Sequence, residues 1–113
     1  MKEMDYEMAL DRLGGDRALL AELAGMFQEE YPRLLEGVRS GLSAGNGQAV
    51  NAAAHQLKGL LAQFAADHAR DVALLVEMAG RAGDLQQAAE AFAELERVME
   101  LLQPELKAMI SPA

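Results

Sequence analysis

The chain has 113 residues, a formal net charge of −8 from 18 acidic and 10 basic side chains, and no cysteine. That length suits one hydrophobic core. The acidic balance and scattered basic residues exclude a nucleic-acid partner, and the lack of thiols excludes disulfides, cysteine nucleophiles and thiolate zinc sites.

No apolar run approaches the ~20 residues of a bilayer span. The opening MKEMDYEMALDRL carries acids where a secretory leader has a basic stretch and then an apolar one. A cytoplasmic protein with no membrane contact is expected. Aromatic residues are only 4% of the chain, and nothing shows the β-branched alternation of a strand, so the fold class is all-α.

In chain order, a short first helix is predicted from about Asp5, its N-cap, to Leu13, with Gly14-Gly15 ending it. Asp16 caps a second helix whose apolar residues Leu19, Leu23, Phe27, Tyr31, Leu34, Val38 and Leu42 recur every three or four positions as one buried stripe. The stripe stays in phase past Pro32, which predicts a kink there, with a break as the alternative.

SAGNG, residues 43 to 47, is a turn, and Asn46 caps a third helix from about Gly47 to Ala65. Asp67 and Asp84 are the expected caps of two more helices, with Gly80 and Gly83 at the break between them. The last helix repeats Ala88, Phe92, Leu95, Val98 or Met99, Leu102 and Leu106, with Pro104 near its end. The expected architecture is an antiparallel four-helix bundle over residues 16 to about 108, preceded by the short helix over about 5 to 13. The whole of 1–113 is expected to be one domain, and a monomer, because a four-helix bundle closes its own core.

In the third helix the core stripe is Val50, Ala53 or Ala54, Leu57, Leu61 and Phe64. At about 100° per residue, His55 lies roughly 160° around from Leu57 and points away from the core. Lys58 and Gly59 follow it by about one turn on the same face, among the short or polar Gln48, Asn51, Ala52 and Ala62.

Glycine inside a helix costs about 1 kcal/mol relative to alanine. On a solvent face, close approach by another molecule is the better reason for it. An exposed histidine is ordinarily a solvated side chain, but a neutral imidazole is also a nucleophile, and a lysine one turn away supplies positive charge for a phosphoryl group.

The stretch AHQLKG, Ala54 to Gly59, meets the core of a family motif: a small residue, the phosphoacceptor histidine, any residue, an apolar one, lysine and glycine. Together with the order of elements from GGDRALLAELAGMFQEEYPRLLEGV through GRAGDLQQAAEAFAELERVMELL, it makes nearly the whole chain resemble a histidine-containing phosphotransfer (HPt) domain, the four-helix relay of multistep two-component signalling. The resemblance implies that His55 accepts a phosphoryl group from one receiver aspartate and passes it to another. By the same resemblance, Lys58 stabilises that group and Gly59 gives the receiver room to dock, with Gln56, Ala62 and Asn51 on the docking surface. The implied partners are response-regulator receiver domains and a hybrid sensor histidine kinase.

The protein is then a phosphocarrier and not an enzyme. It needs no cofactor, because any metal belongs to the receiver's site, and it has no Gly-rich loop for ATP. Glu77 stands where the family often places a Glu or Gln within reach of the histidine ring; the other reading makes it a solvated charge paired with Arg81 four residues on.

The chain departs from the family pattern at Leu60, where a serine is frequent, and at Ala65-Ala66, where glycine and alanine are frequent; the change at Ala65 concerns how the third helix ends. The competing function is a non-catalytic helical adaptor using the same face. A metal site is disfavoured, since His55 and His68 fall on different helices and His68 reads as an ordinary surface residue. Met26, Met78 and Met99 are expected at or beside core positions.

Overall fold

The computed structural model describes residues 2–110. Five helices are present: α1 (Tyr6–Arg12), α2 (Arg17–Ser43), α3 (Gly47–Gln63), α4 (Asp67–Ala82) and α5 (Leu85–Ile110). The four long ones pack in cyclic order, α2 on α3, α3 on α4, α4 on α5 and α5 back on α2, while α1 leans on the end of the bundle. At 1.5 Å per residue the 27-residue α2 spans about 40 Å, which accounts for the 43 Å long axis of the fold.

Short polar side chains start four of the helices. The Asp5, Asp16, Asn46 and Asp84 side chains accept the backbone N–H groups of Met8, Leu19, Ala49 and Gln87 at 3.0–3.1 Å, each a cap worth about 1 kcal/mol. Asp67 does not cap: Ala66 holds that position without a side-chain bond, and Asp67 lies in the first turn of α4, where its charge still favours the positive end of the helix dipole. Gly80 lies within α4, and the helix ends at Gly83, whose φ of +76° is a left-handed cap that glycine adopts without steric cost. α2 passes through Pro32 as one helix, and α5 continues past Pro104 to Ile110.

The core stripes of α3 and α5 are buried as expected, with both Ala53 and Ala54 and both Val98 and Met99 inside. On α2, Leu20, Ala24, Phe27, Leu34, Val38 and Gly41 are buried, Leu23, Tyr31 and Leu42 only partly so, and Leu19 is exposed. The predicted stripe is therefore rotated at its start. Leu19 and Leu20 are both leucine, so spacing alone could not choose between them. Phe27 stacks on Phe64 at 5.2 Å between centroids and meets Tyr31 edge-on at 5.7 Å, tying α2 to the end of α3. Met99 is core, but Met26 and Met78 are exposed, against expectation: Met26 sits beyond the edge of the sector α2 buries, and Met78 lies on the face of α4 opposite its buried side.

Helix α3 ends in a Schellman arrangement. Ala66 N–H donates to Leu61 O at 3.0 Å and Ala65 N–H to Ala62 O at 3.1 Å, which forces Ala65 into the left-handed region at φ +52°. This is the position where the resemblance led to glycine, and the backbone shows why: a side chain here meets its own carbonyl at a cost of about 1–2 kcal/mol. Among the described residues no helix is long and apolar enough to cross a membrane.

Candidate functional site

The site is set by how closely α3 and α4 approach. A Cβ on Gly80 would lie 2.9 Å from Val50 Cγ1 and 3.0 Å from both Asn51 N and Gly47 O, and one on Gly47 would meet the Gly80 carbonyl oxygen. Only glycine at both positions lets the two backbones come this near. Asn51 then reaches across, its Nδ2 donating to the Glu77 carbonyl at 3.0 Å, which registers the third helix against the fourth. Its amide is therefore spent on the neighbouring helix.

That approach buries Glu77, which at 3% exposure is the one charged residue in the interior among the described residues. The reading of Glu77 as a solvated charge is overturned: the pairing with Arg81 exists, at 3.3 Å, but two residues of α3 share the same carboxylate. His55 Nδ1 lies 3.2 Å from Oε2, and Lys58 Nζ lies 2.8 Å from Oε1. The lysine contact is a short ion pair, and the Lys58 ammonium is the partner on which Oε1 depends.

Burial pushes the Glu77 carboxyl up, but contacts with Lys58 and then His55 outweigh it and hold the group below its ordinary value of 4.5. It is ionised at neutral pH.

An ionised carboxylate only accepts hydrogen bonds, so the imidazole donates from Nδ1–H. The Nε2 lone pair is left on a ring whose side chain is 65% exposed. The carboxylate thus fixes both the tautomer and the orientation of the ring. The result is a nucleophilic nitrogen facing solvent with a half-buried ammonium beside it, which is a fitting arrangement for an incoming phosphoryl group.

Gly59 is exposed, and a Cβ there would meet nothing within 4 Å. Packing within the fold does not require it. Beside it a groove of about 320 Å³ runs between the start of α2 and the end of α3, lined by Leu13, Leu20, Leu23, Ala62 and Phe64, with Arg12 at its rim. Arg12 Nη1 donates to Ala62 O at 2.6 Å. Leu19 and Met26 lie on the same flank of α2 as Leu23, at helical spacing, and are exposed.

Sequence reasoning missed this apolar rim because it assigned Leu19 and Met26 to the core. The available signal was a stripe on α2 wider than one buried face needs. Gln56 is exposed beside His55, and Ala62 is partly exposed. Leu60, one of the departures from the family pattern, packs partly buried against the core. His68 is far from this site and pairs with Glu3 at 3.0 Å. Among the described residues no cluster of three or more histidine or acidic side chains could hold a metal ion.

Among curated proteins none matches this chain significantly. One solved structure, the crystal structure of histidine-containing phosphotransfer protein B (HptB) from Pseudomonas aeruginosa PAO1, superposes with a TM-score of 0.89 over 98% of this chain and 96% of that one, at 21% identity. At that identity the likeness is one of fold. The family is carried by the sequence: the model of the Hpt domain matches residues 22–110, which includes the AHQLKG motif and all of α3 and α4. The chain belongs to the Hpt domain family, the phosphocarriers of His–Asp phosphorelays, and is a histidine phosphotransfer intermediate and not an enzyme.

Proposed function

We propose that His55 is the residue on which this Hpt domain carries its phosphoryl group. In the forward step Nε2 attacks the phosphorus of a receiver's aspartyl phosphate. The P–N bond forms as the P–O bond to the aspartate breaks, and the carboxylate leaves with the bonding electron pair. The ring keeps its Nδ1 proton and becomes a phosphorylated imidazolium beside the Glu77 anion. Transfer to a second receiver reverses these bonds and returns a neutral imidazole.

The observation that carries this reading is the contact between the buried Glu77 carboxylate and Nδ1 of an exposed histidine, 3.2 Å long. It prepares Nε2 as the acceptor and stabilises the ring charge that appears on phosphorylation. Lys58, on the same carboxylate, supplies positive charge next to the incoming group. Gly59, Gln56 and Ala62 form the surface on which the receiver docks, continuous with the apolar groove along Leu23. Asn51 supports that surface by holding α4 in register. The partners are receiver domains and a hybrid sensor histidine kinase, the working unit is a monomer, and the compartment is the cytoplasm.

The test incubates the protein with a receiver domain carrying a labelled aspartyl phosphate. Label should move to the protein in an acid-labile, alkali-stable form, as a phosphoramidate requires, and His55→Gln should abolish it. A His55→Gln variant that still takes up label, or a wild type that binds several receivers yet stays unlabelled, would end this reading.

A further inference from the structure

The three side chains that contact the Glu77 carboxylate are not equivalent. Lys58 is only 26% exposed, and its ammonium is the sole partner of Oε1. If it left, a buried anionic oxygen would be stranded, at a cost well above that of an ordinary lost contact. His55 covers Oε2 and cannot leave without turning its ring.

Arg81 differs from both. Its Nη2 makes one 3.3 Å contact, to the oxygen that His55 already occupies, and its side chain is 71% exposed. Guanidinium has five N–H donors, and among the described residues Glu77 is this arginine's one side-chain partner. Helical side chains lean toward the N-terminus of their helix, so the arm of Arg81 runs from the last turn of α4 toward Glu77 and the histidine. Because both donors meet one oxygen, the guanidinium lies within two hydrogen-bond lengths of the imidazole. Arg33, Arg39, Arg70 and Arg97, by contrast, pair with acids on the open surface.

We propose that Arg81 is a second phosphoryl-binding residue: once Nε2 of His55 carries the group, the guanidinium leaves Glu77 and takes the phosphoryl oxygens, while Lys58 stays with the buried carboxylate. This rests on His55 being the phosphoacceptor. The exchange leaves no buried group bare, because Oε2 keeps the imidazolium N–H and Oε1 keeps Lys58. It balances charge as well: imidazolium, Lys58 and Arg81 face one carboxylate and a phosphoryl dianion. A planar guanidinium suits the task, since it can present two parallel N–H groups to two oxygens, which an ammonium cannot.

The experiment phosphorylates the protein with potassium phosphoramidate, a small donor that needs no receiver, and follows phosphohistidine by ³¹P NMR and the arginine Nε–Hε resonances by ¹H–¹⁵N NMR. In wild type the Arg81 resonance, identified by its absence from Arg81→Lys, should shift as the phosphohistidine signal grows. Arg81→Ala should form phosphohistidine about tenfold more slowly at limiting donor, with Arg81→Lys in between. If Arg81 serves only as a structural partner of Glu77, the resonance stays in place and Arg81→Ala reacts at the wild-type rate, which overturns the proposal. If wild type forms no phosphohistidine while free histidine in the same tube does, or if His55→Gln reacts equally well, the reading of His55 falls and this one with it. The wild-type resonance decides the matter even if Arg81→Ala folds poorly.

Discussion

Gly59→Ala and Gly80→Ala are the same substitution in two neighbouring helices, and the structure requires opposite results. Alanine is favoured over glycine in a helix interior by about 1 kcal/mol. At Gly59 the added methyl meets nothing within 4 Å, so that gain should appear in full, raising the thermal midpoint by about 4 °C for a domain of this size. At Gly80 the same methyl would sit 2.9 Å from Val50 Cγ1 and 3.0 Å from two backbone atoms of α3.

Carbon atoms rest at about 3.5–4.0 Å, so the helices must part by roughly half an ångström or more. Overpacking of this kind costs about 1–3 kcal/mol, and the upper part of that range applies because backbone cannot rotate away. The net expectation is a loss of about 1–2 kcal/mol at Gly80 against a gain of about 1 kcal/mol at Gly59. Urea denaturation followed by circular dichroism measures both. A destabilised Gly59→Ala, or a Gly80→Ala as stable as wild type, refutes the argument. Phosphoryl transfer from a receiver should run the other way for Gly59→Ala: the more stable protein should accept more slowly, because the methyl stands where the partner approaches.

Three further outcomes are expected. The Glu77 carboxyl is held below 4.5 in the folded protein, so its stabilising contribution is complete above the unfolded value and is lost as pH falls through the folded one. Urea midpoints measured between pH 7 and 3 should therefore fall more steeply below about pH 4.5 for wild type than for Glu77→Gln, and parallel curves would contradict this. At Ala65, with φ +52°, valine should cost about 2 kcal/mol or more, while glycine should change little, since relief of the steric cost is offset by the unfolded-state entropy glycine gains; a Val variant of wild-type stability would show the backbone to be relaxed there. Met26→Asp, on the exposed rim of α2, should leave stability within about 0.5 kcal/mol yet weaken receiver binding, read by calorimetry. Unchanged affinity would remove the rim from the docking surface.

Much of this protein was legible before its fold was known. The caps at Asp5, Asp16, Asn46 and Asp84 were readable because a cap acts within one turn of its own helix. The outward direction of His55, Lys58 and Gly59 followed from the angular repeat of α3 alone, and the exposure of His55 agrees. The misplaced residues share a cause. Periodicity gives a direction about a helix axis, not the distance to the next helix. Leu19 against Leu20 is a choice between adjacent apolar positions that only the placement of α3 makes, and Met26 falls outside a sector of α2 whose width depends on the neighbours.

Glu77 shows the same division most clearly. By itself the sequence determined that a carboxylate sits one helix on from the histidine, with Arg81 a turn behind it. Only the tertiary structure decided that this carboxylate is buried and holds His55, Lys58 and Arg81 at once. The physical reason lies in Gly47 and Gly80, whose missing side chains let α3 and α4 close until Glu77 is almost wholly withdrawn from solvent, so that its charge is met by neighbouring side chains.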